Sequence, residues 1–370
     1  MISIFYRGPL ERSRLGFLLE LFSSLDNNVS FYWLLPHPKF QNKDNQVLEP
    51  FMASYPTISH EIIPAGGNQF FAARKKVKSI ISDQVESKVV SIGFTAAFFM
   101  PRKQSNKYIW CINGIPEESL FHRNTVLKKG AVSIKWSLVR RVYSPDLVIT
   151  VSKRMSDYVS SKISKMKTIS IPLCVDLERF QIKQNVKRKY YTYTGSGAPW
   201  QNLSQLSEVW GSLHKLDENI RFRVISRDPR AIALGDKVPK EAIEFVGTSD
   251  LDELAAYLEQ AEVGFLIRQD SLVNRVSFPT KLSEYFASGA WVVSSDIDWD
   301  VADIIKKHSV GILVPPSWSS DQIATRILES RTDFIDKDRL EKRLTNAIKE
   351  LSKVYWLEEG RKQLLESNIF

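Results

Sequence analysis

Apolar residues fall in short runs along the chain, separated by longer stretches in which they recur every three or four positions. In the first half ISIFY, VSFYWLL, the region around HEIIP, KVVSIGF and KYIWCI have the length of strands and are rich in β-branched and aromatic residues, which predicts buried strands. Residues 11–25 and 72–82 carry the helical spacing between them. SPDLVITVS, from Ser144 to Ser152, and KTISIPL, from Lys167 to Leu173, add two further strands. This alternation is the rhythm of a parallel, doubly wound α/β sheet.

The segment after Leu173, CVDLERFQIKQNVKRK, is mostly polar and charged and reads as a linker. A second series follows it. KYYTYTG, RFRVIS, AIEFVG, VGFLI, WVVSS and GILVPP predict strands, with helices near 202–216, 250–260, 280–288 and 320–330 and a wholly helical stretch from about Asp338 to Glu366. The expected division is a domain over 1–175 and a second over 186–350, with the C-terminal helix of about 352–370 free to pack back on the first. Two Rossmann-like domains of this kind place ligands in a cleft at the carboxyl ends of their strands.

A length of 370 residues with 43% hydrophobic content is enough for two substantial cores, which excludes a fibre, a disordered tail and a disulfide-stapled miniprotein. Two cysteines, Cys111 and Cys174, suit a reducing cytoplasm rather than a disulfide framework. The opening MISIFYRGPL meets Arg7 after too few apolar residues for a signal peptide. The best apolar run, Val89 to Pro101, is shorter than the about 20 residues of a spanning helix. A cytoplasmic protein is therefore expected.

The formal charge of +9 calls for an anionic partner, and it is unevenly placed. Residues 1–180 hold 25 basic and 14 acidic residues, the remainder 26 and 28. Much of the excess lies in RNTVLKKGAVSIKWSLVRR, from Arg123 to Arg141, which has no acidic residue. Val132, Trp136 and Val139 are at helical spacing there, so the segment reads as an amphipathic element for an anionic membrane surface, or as a solvated helix whose apolar stripe packs inward. No nucleic-acid-binding motif accompanies the charge, so nucleic acid is not expected as a partner.

The segment from Val263 to Asp296 carries the most chemistry. It reads as a buried strand, a loop with Arg268, Asn274 and Arg275, a helix opened by Ser277 to Pro279, a stop at Gly289 and another buried strand. The amides from Ser277 to Thr280 and the positive end of the helix dipole form an anion site, to which Lys281 adds a full charge. Glu284 shares a helix face with Lys281 and leans towards the same end, where a carboxylate suits paired ribose hydroxyls.

The run R-x-D-S-x-x-N-R-x-x-x-P-x-K-x-x-E-Y-x-A-x-G, from Arg268 to Gly289, resembles the nucleotide-sugar signature of retaining glycosyltransferases of family 4, glycosyl transferases group 1, which have the GT-B fold. DLVITVSKRMSDYV with ISIPLCVDLERF resembles that family's exit from the first domain. YTGSGAPWQN resembles its second glycine loop, and EFVGTSDLDELAAYLEQAEVGFL its base-binding strand and helix. The likeness covers 144–316 well and 1–143 only in rhythm. It implies a nucleotide-sugar site of Gly8, Gly195, Ser196, Arg227, Thr248, Arg268, Ser277, Phe278, Pro279, Thr280, Lys281 and Glu284, with Lys281 and Arg268 catalytic. CINGIPEE, following a strand of the acceptor half, offers Asn113, Glu117 and Glu118 to orient an acceptor hydroxyl, and Glu117 is counted as catalytic.

Two departures stand out. The first glutamate of the family's pair falls on Val276, and the loop GSGAPWQN has no basic pair, leaving Arg268 or Arg227 to clamp the diphosphate. The DxD at Asp296 to Asp298 follows a core strand and reads as incidental. No CxxC, HExxH or other ligand spacing argues for a metal, so neither metal nor cofactor is expected.

The function expected is transfer of a sugar from a UDP-, GDP- or ADP-linked donor, with retention, to a glycan or lipid-linked acceptor. That places the chain in cell-surface polysaccharide or glycoconjugate synthesis, peripheral on the inner face of the membrane. A sugar-nucleotide epimerase or hydrolase, or a non-catalytic nucleotide-sugar-binding protein, would use the same fold.

Overall fold

The computed structural model describes residues 1–7, 10, 12–35, 48–122, 125–163, 166–229, 232–234 and 236–370. The chain divides into two compact units, Met1–Pro172 with Trp356–Phe370, and Leu173–Tyr355.

Unit 1 holds seven parallel strands: β1 (Ile2–Tyr6), β2 (Val29–Leu35), β3 (Ser59–Pro64), β4 (Lys88–Ile92), β5 (Lys107–Cys111), β6 (Leu147–Thr150) and β7 (Lys167–Ser170). Their spatial order is β3-β2-β1-β4-β5-β6-β7. Consecutive residues of the central strand, Ile2, Ser3, Ile4 and Phe5, are all fully buried, because helices cover both faces of the sheet. That is why these runs lack the alternation of a half-exposed strand. Buried Ser3 is tolerated because its hydroxyl donates to Gln84 Oε1 at 3.0 Å. The returning C-terminal segment completes this core: Leu364 is fully buried, and the Phe370 ring stacks on Phe22 at 6.2 Å.

Unit 2 has six parallel strands: β8 (Tyr190–Thr194), β9 (Arg221–Ser226), β10 (Ile243–Gly247), β11 (Ala261–Leu266), β12 (Trp291–Ser295) and β13 (Gly311–Val314). Their order is β10-β9-β8-β11-β12-β13. Aromatic pairs fasten the flanking helices to this sheet. Trp210 of the helix Leu203–Leu216 stacks on Phe222 at 4.7 Å, and Trp291 on Phe334 at 4.3 Å.

In each sheet the order reverses once, between β1 and β4 and between β8 and β11. Loops leaving the carboxyl ends of the two strands at such a point diverge to opposite faces and open a ligand crevice. In unit 2 those loops begin at Gly195 and Ile267, which fixes where the site must be sought.

Several details differ from the sequence pattern. The polar segment after Leu173 is anchored, with Val175 and Phe180 buried and Val175 bridging Ser352. The helical stretch near the C-terminus is two helices, Lys337–Leu351 and Lys353–Leu365. Ser352 is extended between them (ψ 148°), and the backbone bonds of Val175 to Leu351 and Lys353 close around that break. Asp300–His308 forms a helix that polar composition concealed, and a short helix, Leu272–Val276, occupies the expected loop. No helix among the described residues is long and apolar enough to cross a membrane.

Candidate functional site

The helix Thr280–Ala287 starts where its sequence says it should. Pro279 is the N-cap, and because its side chain cannot cap, the first amides have no side-chain acceptor. The Ser277 amide is not available, since its N–H and its hydroxyl both close on Asn274 O at 3.1 and 2.9 Å. Pro279 has no N–H, so the donors at this end with no acceptor among the described residues are those of Phe278, Thr280 and Lys281. Phe278 itself is buried and anchors the turn. At the other end Gly289 takes φ +88°, and its N–H and that of Ala290 close on Phe286 and Tyr285 carbonyls.

Tyr285 clamps this helix to the opening strand of the unit. Its hydroxyl accepts the Thr194 N–H at 2.9 Å and donates to Thr192 O at 3.3 Å. Lys281 is thereby carried over the loop after β8. Its ammonium donates to Gln201 Oε1 at 2.8 Å and rests 4.5 Å from the centre of the Tyr193 ring. Gly195, at φ +136°, lies directly against it, and any side chain there would strike the ammonium. Tyr193 donates to Ser196 O at 2.7 Å and holds the same loop closed.

Arg268 reaches this place from the end of β11. Its N–H donates to Ser295 Oγ at 2.8 Å, and its guanidinium donates to Asn274 Oδ1 at 3.3 Å. Asn274, wholly buried, donates in turn to Trp200 O and Gln269 O, lacing the two crevice loops together. Gly195, Ser196, Arg268, Ser277, Phe278, Pro279, Thr280, Lys281 and Glu284 are thus gathered at one end of one sheet.

The electrostatics are those of a cationic site. Arg268 is 6% and Lys281 9% exposed, and among the described residues neither has a carboxylate in ion-pair contact. Burial lowers Arg268 to about 10. Burial, and then the neighbouring Arg268 charge, hold Lys281 well below its usual range, while Glu284 works the other way. Glu284 is pushed up to about 7 by desolvation, with Lys281 opposing. Two buried cations cost free energy that a bound polyanion would recover, as would the open helix amides.

Other candidates lie elsewhere. Gly8 falls outside the described residues. Arg227 is exposed just beyond β9. Thr248, after β10, is half-buried, and its hydroxyl donates to Glu253 Oε2 at 2.6 Å and accepts the Asp250 N–H, which shapes the start of the helix Leu251–Leu258. Val276 is buried and apolar, so no carboxylate stands at its position. Arg275 and Asp270 form a bidentate surface pair at 2.6 and 2.8 Å. Asp296 bonds Lys306, and no group of three or more His, Cys, Asp or Glu among the described residues could hold a metal ion.

On unit 1, Glu117 lies in the turn Pro116–Glu118 and is half-buried. Its Oε1 accepts the Trp136 Nε1–H at 2.9 Å and the Tyr158 hydroxyl, while Oε2 is buried without a hydrogen-bond partner among the described residues. Glu118 caps its own turn through Ile115 N–H at 3.2 Å, and Asn113 is exposed. Cys111 is buried, and its thiol is raised to about 12 by that burial. Sequence reasoning missed Tyr193 and Gln201, the groups that seat Lys281. Gln201 lies in the turn Pro199–Gln201, and nothing in spacing or composition singles it out.

Residues 175–350 match the family of glycosyl transferases group 1, so unit 2 is a domain of that group. The fold is shared over nearly the whole chain with known glycosyltransferase structures of GT-B architecture. Sucrose-phosphate synthase from Thermosynechococcus elongatus superposes with a TM-score of 0.71 at 13% identity, covering 99% of this chain and 98% of that one. Anabaena HepE in complex with UDP and glucose gives 0.72 at 12%, covering 99% and 100%. WaaG, a glycosyltransferase involved in lipopolysaccharide biosynthesis, gives 0.64 at 13%, covering 98% and 99%. No curated protein matches the sequence. Domain and fold together make the chain a glycosyltransferase.

Proposed function

We propose that this glycosyltransferase binds a nucleoside-diphosphate sugar on unit 2 and transfers the sugar, with retention of anomeric configuration, to a glycan or lipid-linked acceptor held by unit 1. The observation that carries the reading is the pair of buried cations, Arg268 and Lys281, set against open helix amides at the sheet's switch point. Charge grows on the diphosphate as the bond to the anomeric carbon breaks, and preorganised donors aimed there lower the barrier. Arg268 and Lys281 would stabilise that charge, and Glu284 would hold the ribose hydroxyls. Basic groups and amides suffice for this role without a metal. The solved complex of HepE with UDP and glucose supports a nucleotide-sugar donor, linked to UDP, GDP or ADP.

Glu117 is the acceptor-side candidate. Its Oε2 is buried and lacks a donor among the described residues, the condition in which a hydroxyl hydrogen bond gains most. The likeness to WaaG and the basic surplus of the first half support cell-surface polysaccharide or glycoconjugate synthesis, in the cytoplasm and peripheral to the inner face of the membrane.

Lys281→Ala and Glu284→Ala are each expected to lower turnover of the donor by at least about 100-fold, the scale of a lost charge-stabilising donor. Circular dichroism should show both variants folded. Full activity in both would remove the assignment. Buried Val276, where a carboxylate would be expected, favours one second reading, a non-catalytic nucleotide-sugar-binding protein. Tight nucleotide binding with no turnover across acceptors would select it, whereas release of an altered sugar without acceptor would indicate an epimerase or hydrolase.

A further inference from the structure

The basic helix Val126–Leu138 of unit 1 has two apolar faces, and only one of them is used by the fold. Val132 and Trp136 are 7% and 6% exposed, and the Trp136 ring meets Phe94 at 5.1 Å and Tyr158 at 5.8 Å. The inward stripe belongs to the core of the unit, and the tryptophan legible in the sequence is not available to a partner. On the far side Leu127, Ala131, Ile134 and Leu138 follow one another at intervals of four, three and four residues, which places them on one face. Leu127 is 87% exposed, Ile134 60% and Leu138 40%, and Val126 at the same end is 86% exposed.

The charges carried by this segment are of one sign. Lys129, Lys135, Arg140 and Arg141 lie on the helix or its immediate continuation, and no acidic residue occurs from Val126 to Tyr143. A second copy of the helix would set like charges against like. An aliphatic strip bordered by cations fits an interface that is apolar inside and anionic at its surface, which is a bilayer carrying acidic headgroups.

We infer that Leu127, Ile134 and Leu138, with the flanking basic residues, form a membrane-docking face that inserts into the headgroup layer of an anionic bilayer. The inference rests on the reading of a membrane-associated acceptor only for its purpose, since docking itself requires lipid and neither donor nor acceptor.

The test is sedimentation of the full chain with vesicles of phosphatidylcholine alone and of phosphatidylcholine with phosphatidylglycerol in equal parts. Wild type should bind the mixed vesicles at least tenfold more than the neutral ones, and should lose most binding between low and high salt. The double variant Leu127→Asp, Ile134→Asp should lose at least tenfold on the mixed vesicles, and Lys135→Gln with Arg140→Gln should flatten the salt dependence. Circular dichroism should match wild type. Donor turnover in vesicle-free solution should be unchanged, so a failure of docking is distinguishable from a failure of the catalytic reading. Equal binding by wild type and the Asp variant, equal binding to both vesicles, or a dimer that the Asp variant abolishes without any vesicle binding would each overturn the proposal.

Discussion

At the scale of single residues, the proposed donor site is a balance of three charges in a place with little water. Glu284, raised to about 7 by desolvation, binds protons in the folded state that the unfolded chain has already released. Stability therefore falls as pH rises from the ordinary carboxylate range through 7, because the folded state must give up protons against a desolvation cost. Glu284→Gln should remove that slope and raise stability at pH 8 by about 1–3 kcal/mol. Denaturant melts of both proteins from pH 5 to pH 8 would show it, and parallel slopes would refute it. A bound diphosphate should have the opposite sign for Lys281, raising its depressed value by placing negative charge beside it. Gly195→Ala should weaken nucleotide binding as well as strain the loop, since the methyl would occupy the space of the Lys281 ammonium. Isothermal titration with UDP, GDP and ADP reads both effects. The three-residue spacing of Lys281 and Glu284 was legible in the sequence. The seat for Lys281 was not, because Tyr193 and Gln201 come from a strand and the turn after it, some eighty residues earlier.

At the scale of elements, the helix Thr280–Ala287 is placed less by its own propensity than by one clamp. The Tyr285 hydroxyl accepts the buried Thr194 amide, so Tyr285→Phe would leave that donor unpaired and cost unit 2 about 1–3 kcal/mol. Equilibrium denaturation should show the loss, and donor affinity should fall with it because Gly195 and Ser196 ride on the same strand end. Strands were readable because residues buried on both faces must be continuously apolar. Helix ends were readable where proline and glycine marked them. The helix Val126–Leu138 shows the limit: its sequence periodicity is satisfied by two faces, and only packing decides that Val132 and Trp136 go in while Leu127 and Ile134 stay out. Ser352 gave no signal either, since its extended backbone answers to Val175, far away in the chain.

At the scale of the whole molecule, the charge surplus separates along the chain. The first half carries the excess and the second is nearly neutral, yet the second holds two cations where burial makes them strong. The C-terminal segment joins the unit that begins the chain, so unit 1 depends on residues that sequence order places beside unit 2. Leu364→Ala should therefore destabilise unit 1 by about 2–5 kcal/mol, the range for emptying a fully buried leucine site. Nucleotide binding to unit 2 should survive it, and a loss of both together would contradict the division.

By itself the sequence determined the parallel α/β class, the two sheets, the helix start at Pro279 and the residue types gathered there. Those features follow from local periodicity, from the backbone preferences of proline and glycine, and from residues three apart on one helix. Tertiary structure alone decided which cations share a dry site, which amides stay open and which stripe of the basic helix is left for a partner. These are questions of burial and of contact between distant segments, and burial sets both the strength of a charge and the availability of a surface.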